Sequence, residues 1–311
     1  MKVYHSTDAL PVFRRAVLTI GTFDGVHMGH RAIIAQLVQQ ARAIDGESVI
    51  LTFHPHPRRI VAGGQREVSL LNTPEEKSLL LEALGVDHLA VVPFTDQFAS
   101  MTAEEYVASF LVRTFHPSVI IIGYDHRFGR ERQGDYRLLE RLGIEYGYEV
   151  KEIPAHIQDS LAISSTRIRT LLEEGRMEQA NQLLGYAYSF SGEVVQGAQR
   201  GRTIGYPTAN LLLTEKDKLV PADGVYAVSV LLPDQQKYFG MMNIGFRPTV
   251  EGTVRSIEVH LFQFSGDLYG KRVTVECRYF LRPEMRFSSL DALKQQLALD
   301  EAKARSLLMH N

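Results

Sequence analysis

The 311-residue chain carries 45% apolar residues and a formal charge of −2, from 34 Lys and Arg against 36 Asp and Glu. That length suits about two domains with real cores, and the near-balanced charge excludes a protein built to grip nucleic acid through a basic face. Cys277 is the single cysteine, so neither an intrachain disulfide nor a Cys-based zinc site is expected, and a reducing, cytoplasmic setting fits.

In chain order, residues 1–9 lack the apolar stretch of a signal peptide. Apolar runs such as Val119–Ile122 fall far short of the roughly 20 residues that span a bilayer, so no membrane segment is expected. Short β-branched runs lie at Ala16–Ile20, Ser48–Phe53, His88–Phe94, Ser118–Ile122 and Tyr148–Ile153. Between them, apolar residues recur at three and four over Gly29–Ala43, Thr73–Leu84, Ala103–Thr114 and Asp135–Tyr146, which predicts helices. Alternating strand and helix predicts a parallel sheet covered by helices. Thr73-Pro74-Glu75-Glu76 reads as a capped helix start with Pro in the first turn, and Thr102 precedes two acids.

From about Gly185 the period becomes two, over Tyr186–Val195, Gly224–Leu232, Tyr238–Ile244, Val254–Phe262 and Arg272–Phe280. That pattern predicts an antiparallel barrel or sandwich. A helix closes the chain from about Ser289 to Leu308, with a capping-box-like start at Ser288 and Asp291 and a stripe of Leu290, Leu293 and Leu297. The domains are therefore drawn as 1–185 and 186–311.

Two stretches of the first half carry chemistry. Gly21-Thr22-Phe23-Asp24-Gly25-Val26-His27-Met28-Gly29-His30 leads from the first strand into the first helix. Gly allows a tight turn and close approach to a ligand, and the helix start offers free N–H groups to phosphate. His27 and His30, three apart, share one side of the first turn. An ordinary turn with two incidental histidines also satisfies this pattern. In Ile163-Ser164-Ser165-Thr166-Arg167-Ile168-Arg169, hydroxyls and arginines either cap a helix or hold phosphate oxygens. No P-loop occurs in the chain.

With Gly123-Tyr124-Asp125-His126-Arg127-Phe128-Gly129 between them, these stretches resemble the nucleotidylyltransferase superfamily, and within it the FMN adenylyltransferase module of bacterial riboflavin kinase/FAD synthetases. The resemblance implies a Rossmann-like α/β domain that transfers an adenylyl group from ATP to FMN. It places His27, His30 and Arg169 at the reacting phosphates. Gly21, Phe23, Asp24, Gly25, Gly29, Ser164, Ser165 and Thr166 would hold ATP, with Asp125 near the nucleoside. A Pro-His-Pro segment, here Pro55-His56-Pro57 followed by Arg58, would seat the flavin phosphate. The chain departs from the family's usual residues at His54 and His126.

In the second half, Gly197-Ala198-Gln199-Arg200-Gly201-Arg202-Thr203-Ile204-Gly205 is a basic, glycine-rich loop able to present N–H groups to phosphates. Pro207-Thr208-Ala209-Asn210 follows; if extended, Thr208 and Asn210 share a face and could ligate Mg²⁺. Along Val254–Phe262, Ile257, Val259 and Leu261 would face a core and Glu258 and His260 the other side. A strand with a solvated polar face reads the same way. Together with Met242–Thr249 and Gly266–Lys271, these segments resemble the riboflavin kinase module. The resemblance implies Glu258 as general base, Mg²⁺ at Thr208 and Asn210, and nucleotide or flavin contacts from Gly197, Arg202, Gly205, Asn243 and Arg286. Gln263 replaces a more usual Asp. The whole pattern implies an antiparallel β-barrel capped by a helix. It also implies an enzyme that uses ATP to convert riboflavin to FMN and FMN to FAD, as a cytoplasmic monomer without nucleic-acid or membrane partners. Transfer of a cytidylyl group, retention of one activity alone, or a flavin-binding regulator without turnover are the other readings.

Overall fold

The computed structural model describes every residue except 62–68, 124–125, 154–162, 198–199, 250–251 and 310–311. Backbone contacts divide the chain into two compact units, Met1–Ser165 and Thr166–Asn311.

The first unit holds a parallel sheet of β1 (Lys2–Tyr4), β2 (Ala16–Ile20), β3 (Ser48–His54), β4 (His88–Pro93), β5 (Pro117–Gly123) and β6 (Glu149–Ile153), in the order β1-β4-β3-β2-β5-β6. Central strands covered on both faces read as continuous apolar runs. Accordingly, all five residues of β2 are buried. Val17, Ile50, Val119 and Ile121 meet Ile34 and Leu37 of the Met28–Ala43 helix, while Leu18, Leu51, Ile120 and Ile122 meet Phe110, Leu111 and Phe115 on the other face. The chain steps outward from β2 through β3 and β4, then returns to the other side with β5 and β6. The reversal opens a crevice beyond the carboxyl ends of β2 and β5, where open α/β sheets bind ligands.

Two local features depart from the periodicity. The edge strand β1 was not expected, since three residues are too few to display a period. The helix expected over Ala103–Thr114 begins as α-helix (Ala103–Glu105), becomes a π-helix over Tyr106–Val112 and ends as α-helix (Arg113–Phe115). Such π turns concentrate at functional sites, and Tyr106 lines the crevice cavity described below.

The second unit opens with helices Ser165–Glu173 and Met177–Leu184. Asn181 ties the latter to the barrel by donating to Cys277 O (2.9 Å) and accepting from Tyr188 N (2.8 Å). The barrel comprises β7 (Tyr188–Val195), β8 (Ala209–Leu212), β9 (Gly224–Leu231), β10 (Lys237–Thr249), β11 (Gly252–Leu261) and β12 (Arg272–Arg282), all pairs antiparallel, closed in the order β10-β11-β8-β7-β12-β9. Closure decides for a barrel over a sandwich. Strand β9 is buried along almost its whole length because its outer face is covered too: Val225 and Ala227 meet Ala304 and Leu308 of the Leu290–Met309 helix. That helix is capped one residue later than expected, Ser289 Oγ accepting from Ala292 N at 3.1 Å in place of Ser288. No helix among the described residues is long and apolar enough to cross a membrane.

Candidate functional sites

In the first unit, the turn after β2 is held in shape by its own side chains. Phe23 (φ 47°) and Val26 (φ 35°) adopt positive φ alongside Gly25 (φ 88°), a strained combination for non-glycine residues. Burial of Phe23 and Val26 fixes it. Asp24, 1% exposed, points back into the protein and accepts from Leu71 N (3.0 Å) and Asn72 N (3.3 Å). Its backbone carbonyl accepts from Ser165 Oγ at 2.9 Å. Gly21 N donates to Leu51 O at 3.0 Å.

His27 caps the first helix, its Nδ1 accepting from His30 N at 3.3 Å. In the neutral ring the proton then sits on Nε2. The two imidazoles stack, centroids 3.6 Å apart. A side chain at Gly29 would lie 3.3 Å from the His27 ring, so glycine gives that ring its room. Burial lowers the His27 pKa to about 4 against an opposing pull from Asp24. Burial, then His27 and Lys77, push His30 well below its ordinary value. Both rings are neutral near pH 7 and act as hydrogen-bonding groups rather than cations.

Beside the turn lies a cavity of about 580 Å³ bounded by Gly21, Thr22, Pro57 and Arg58. Its walls are the rings of Phe53, Phe94, Phe98, Tyr106 and Phe128, joined by Arg127 and Arg132. Phe53, Phe94 and Phe98 pack on one another with centroids 5.4–5.7 Å apart. This is an apolar slot with cations in its lining, suited to a flat aromatic system that carries an anionic tail. His126 stacks on Phe128 (5.9 Å), and Arg127 pairs with Asp135 at 3.1 Å. His56 Nδ1 accepts from Arg58 N at 3.2 Å, shaping the Pro-His-Pro turn, and His54 is exposed. Asp125 lies outside the described residues. Ser164 is exposed, and Thr166, Arg167 and Arg169 continue on the helix that starts at Ser165.

In the second unit, β11 alternates as expected: Ile257, Val259 and Leu261 are buried and Glu258 and His260 half-buried. Thr208 Oγ1 donates to Glu258 Oε2 at 3.2 Å, and Asn210 stands opposite Glu258 in the β8–β11 register. A Cβ on Gly197 would collide with the Asn210 side chain, at 2.2 Å. His260 Nδ1 meets Pro207 O at 2.8 Å, which fixes the segment carrying Thr208. Three hard oxygen groups therefore converge: a hydroxyl, an amide and a carboxylate.

Glu258, Thr208 and Asn243 line a cavity of about 760 Å³, with Met241, Met242, Met285, Phe287, Leu293 and Leu297 as its apolar side. Asn243 Nδ2 donates to Glu284 Oε1 at 3.3 Å. Arg202 and Thr208 border a smaller cavity of about 100 Å³ with Asp267 and Tyr269, and Gly205 turns the chain between with φ 88°. Arg286 is exposed; its neighbours Met285 and Phe287, not Arg286, line the larger cavity.

Family comparison agrees with this division. The family described as FAD synthetase matches residues 11–167, and that described as riboflavin kinase matches residues 184–308. A bifunctional riboflavin kinase/FMN adenylyltransferase of Escherichia coli (strain K12) is 40% identical over 93% of this chain and 91% of its own. The chain belongs to the bifunctional riboflavin kinase/FMN adenylyltransferase family. A member from Haemophilus influenzae is 37% identical over 96% of both chains. A solved structure described as a macrolide-efflux protein from Streptococcus pneumoniae shares the fold at TM-score 0.86 and 33% identity, covering 98% of each chain.

Three features of this family member escaped the sequence reading. The aromatic cavity is assembled from rings spread between residues 53 and 128, each unremarkable alone. Arg282 forks onto the buried Asp300 with contacts of 2.7–3.0 Å, and Gln296 Nε2 adds a bond at 2.9 Å. Lys77 donates to the Thr22 carbonyl at 2.7 Å from beneath the His27 turn. On the sequence it looks like one more charge on a helix face.

Proposed function

We propose that this chain converts riboflavin to FMN in its barrel unit and FMN to FAD in its parallel-sheet unit, with ATP as co-substrate in both steps. The observation that carries this reading is the convergence of Glu258, Thr208 and Asn210 beside a cavity of about 760 Å³, in a chain whose other half retains the stacked His27 and His30. The functional division proposed is 1–185 for adenylyl transfer and 186–311 for phosphoryl transfer.

In the barrel, Glu258 accepts the proton of the terminal ribityl hydroxyl as that oxygen attacks the γ-phosphorus; the bond to the bridging oxygen breaks and ADP leaves. Positioning supplies most of such catalysis. The neutral oxygens of Thr208 and Asn210 fit Mg²⁺, a hard cation that prefers oxygen ligands. No cluster of three or more His, Cys, Asp or Glu able to hold a metal occurs among the described residues, so ATP phosphates and water would complete the shell. The bound ion would neutralise charge on the transferring phosphoryl group. Meanwhile the apolar side built from Met242, Phe287 and Leu293 receives the isoalloxazine ring.

In the first unit the nucleophile is the phosphate of FMN, mostly dianionic at neutral pH with a second pKa of about 6, so no protein base is needed. Its oxygen attacks the α-phosphorus of ATP and pyrophosphate leaves. The helix start and the neutral His27 and His30 offer N–H donors where negative charge builds, and Arg169 with the Ser164–Thr166 hydroxyls serves the leaving group. The cavity of Phe53, Phe98 and Phe128 takes the flavin, with Arg58 toward its phosphate. Incubation of the pure protein with riboflavin, ATP and Mg²⁺, followed by flavin chromatography, tests the reading. FMN is expected first and FAD after it; no conversion, even from supplied FMN, overturns it.

A further inference from the structure

The Pro74–Ala83 helix is placed by an unusually complete set of local restraints. Thr73 and Glu76 close a capping box around Pro74, and Asp24 takes the N–H groups of Leu71 and Asn72 just before it. One turn into this fixed helix, Lys77 reaches under the His27 turn. The residue is half-buried with its ammonium end enclosed. Nζ donates to Thr22 O at 2.7 Å and approaches Thr52 Oγ1 at 3.5 Å, while Thr52 Oγ1 itself donates to the same carbonyl at 3.1 Å. Its third N–H has no partner and it forms no ion pair among the described residues.

An ammonium taken out of water loses more than two neutral oxygens restore, and the charge of Asp24, acting on it without an ion pair, offsets only part of that loss. A long apolar side chain would fill this space without that penalty, so the charge needs another reason. The turn above Lys77 supplies one. Thr22 borders the cavity, and His30, on the same turn, keeps a buried Nδ1 without a hydrogen-bond partner. Donors and positive charge gather where the adenylyl-transfer reading puts polyphosphate.

We propose that Lys77 is a positioning residue of the adenylyl-transfer site. It holds the Thr22 carbonyl and sets a positive field beneath the Gly21–His27 turn, against which the phosphates of ATP are placed. The inference rests on the adenylyltransferase reading of this unit, and its test separates the two. Full-length Lys77→Met, Lys77→Arg and Lys77→Ala are assayed for FAD from FMN and ATP. Lys77→Met is expected to lower kcat by about 10²-fold, the size seen when one preorganised electrostatic group is lost, with the KM for FMN little changed and riboflavin phosphorylation retained. Lys77→Arg should recover much of the rate, and ethylammonium, but not ethanol, should restore turnover to Lys77→Ala. In the wild-type protein, the ¹⁵N resonance of the Lys77 side chain should shift when inorganic pyrophosphate is added. That last reading does not depend on a variant folding. A wild-type rate in Lys77→Met, or equal losses in the Met and Arg variants without amine rescue, overturns the proposal. So does a Lys77 resonance indifferent to pyrophosphate. A wild-type chain that makes no FAD overturns the underlying reading instead.

Discussion

The rings of His27 and His30 lie face to face, 3.6 Å between centroids and 15° between planes, with His27 Nδ1 accepting the backbone N–H of His30. Stacked imidazoles at a helix start cannot both carry protons cheaply, and burial reinforces this. The pair is thus two neutral rings, and its protonation opposes folding.

The sign of the pH effect follows. His27 titrates at about 4 in the fold and near 6.5 when unfolded. Between those values the unfolded chain holds a proton that the folded one refuses, so stability falls as pH drops from about 6.5 toward 4 and is full above that window. His27 alone contributes roughly 3 kcal/mol across it at 1.36 kcal/mol per pKa unit, and His30 acts in the same direction. Calorimetry over this range should show the first unit melting progressively lower, and His27→Asn should flatten the dependence.

Asp24 is inside the turn, bonded to the backbone of Leu71 and Asn72. Asp24→Asn is therefore expected to destabilise the first unit by about 1–3 kcal/mol, the range for disturbing a buried hydrogen-bonded group, and to lower FAD formation through displacement of the turn. FMN formation should persist. Loss of ATP affinity with an unchanged melting temperature would instead make Asp24 a direct ligand contact.

Glu258→Gln keeps the size of the side chain and an oxygen for Thr208 but cannot take a proton. Riboflavin phosphorylation should fall by about 10²–10⁴, the usual contribution of a general base, with riboflavin affinity little altered. FAD formation from supplied FMN should continue. The two rates, measured on one preparation, check the assignment and the division of labour together.

The Arg282–Asp300 pair pins the closing helix to β12 beside the apolar side of the larger cavity; the two side chains are 14% and 4% exposed. Removing one partner strands a buried charge, so Asp300→Ala is expected to cost about 3–5 kcal/mol. It should also raise the KM for riboflavin, because Leu293 and Leu297 ride on the same helix. The double variant Arg282→Met with Asp300→Leu should melt well above either single one. Thermal melting of the three variants checks this.

Much of the architecture was legible because it is written in short-range patterns. The strand at Ala16–Ile20 was bounded correctly by its β-branched run, since burial on both faces demands an unbroken apolar stretch. The Thr73–Glu76 capping box and the shared face of His27 and His30 depend on residues three apart, a spacing that helical geometry alone decides. The alternation of Ile257, Val259 and Leu261 with Glu258 and His260 likewise follows from the pleat.

Tertiary structure decided what sequence spacing cannot encode. The Tyr106–Val112 segment has a helical period but takes π hydrogen bonding where its rings pack into the aromatic core. Closure of the barrel was open between two architectures until β9 paired on both sides. Lys77 and Thr22 are 55 residues apart, and their contact exists only because the sheet order brings the turn after β2 against the helix that precedes β4. Local chain geometry fixes which side chains share a face; the crossing of distant segments fixes which buried charge meets which carbonyl. The amino-acid sequence thus determined the two modules and most of the residues proposed for their chemistry. The fold alone determined the groups that hold those residues in place.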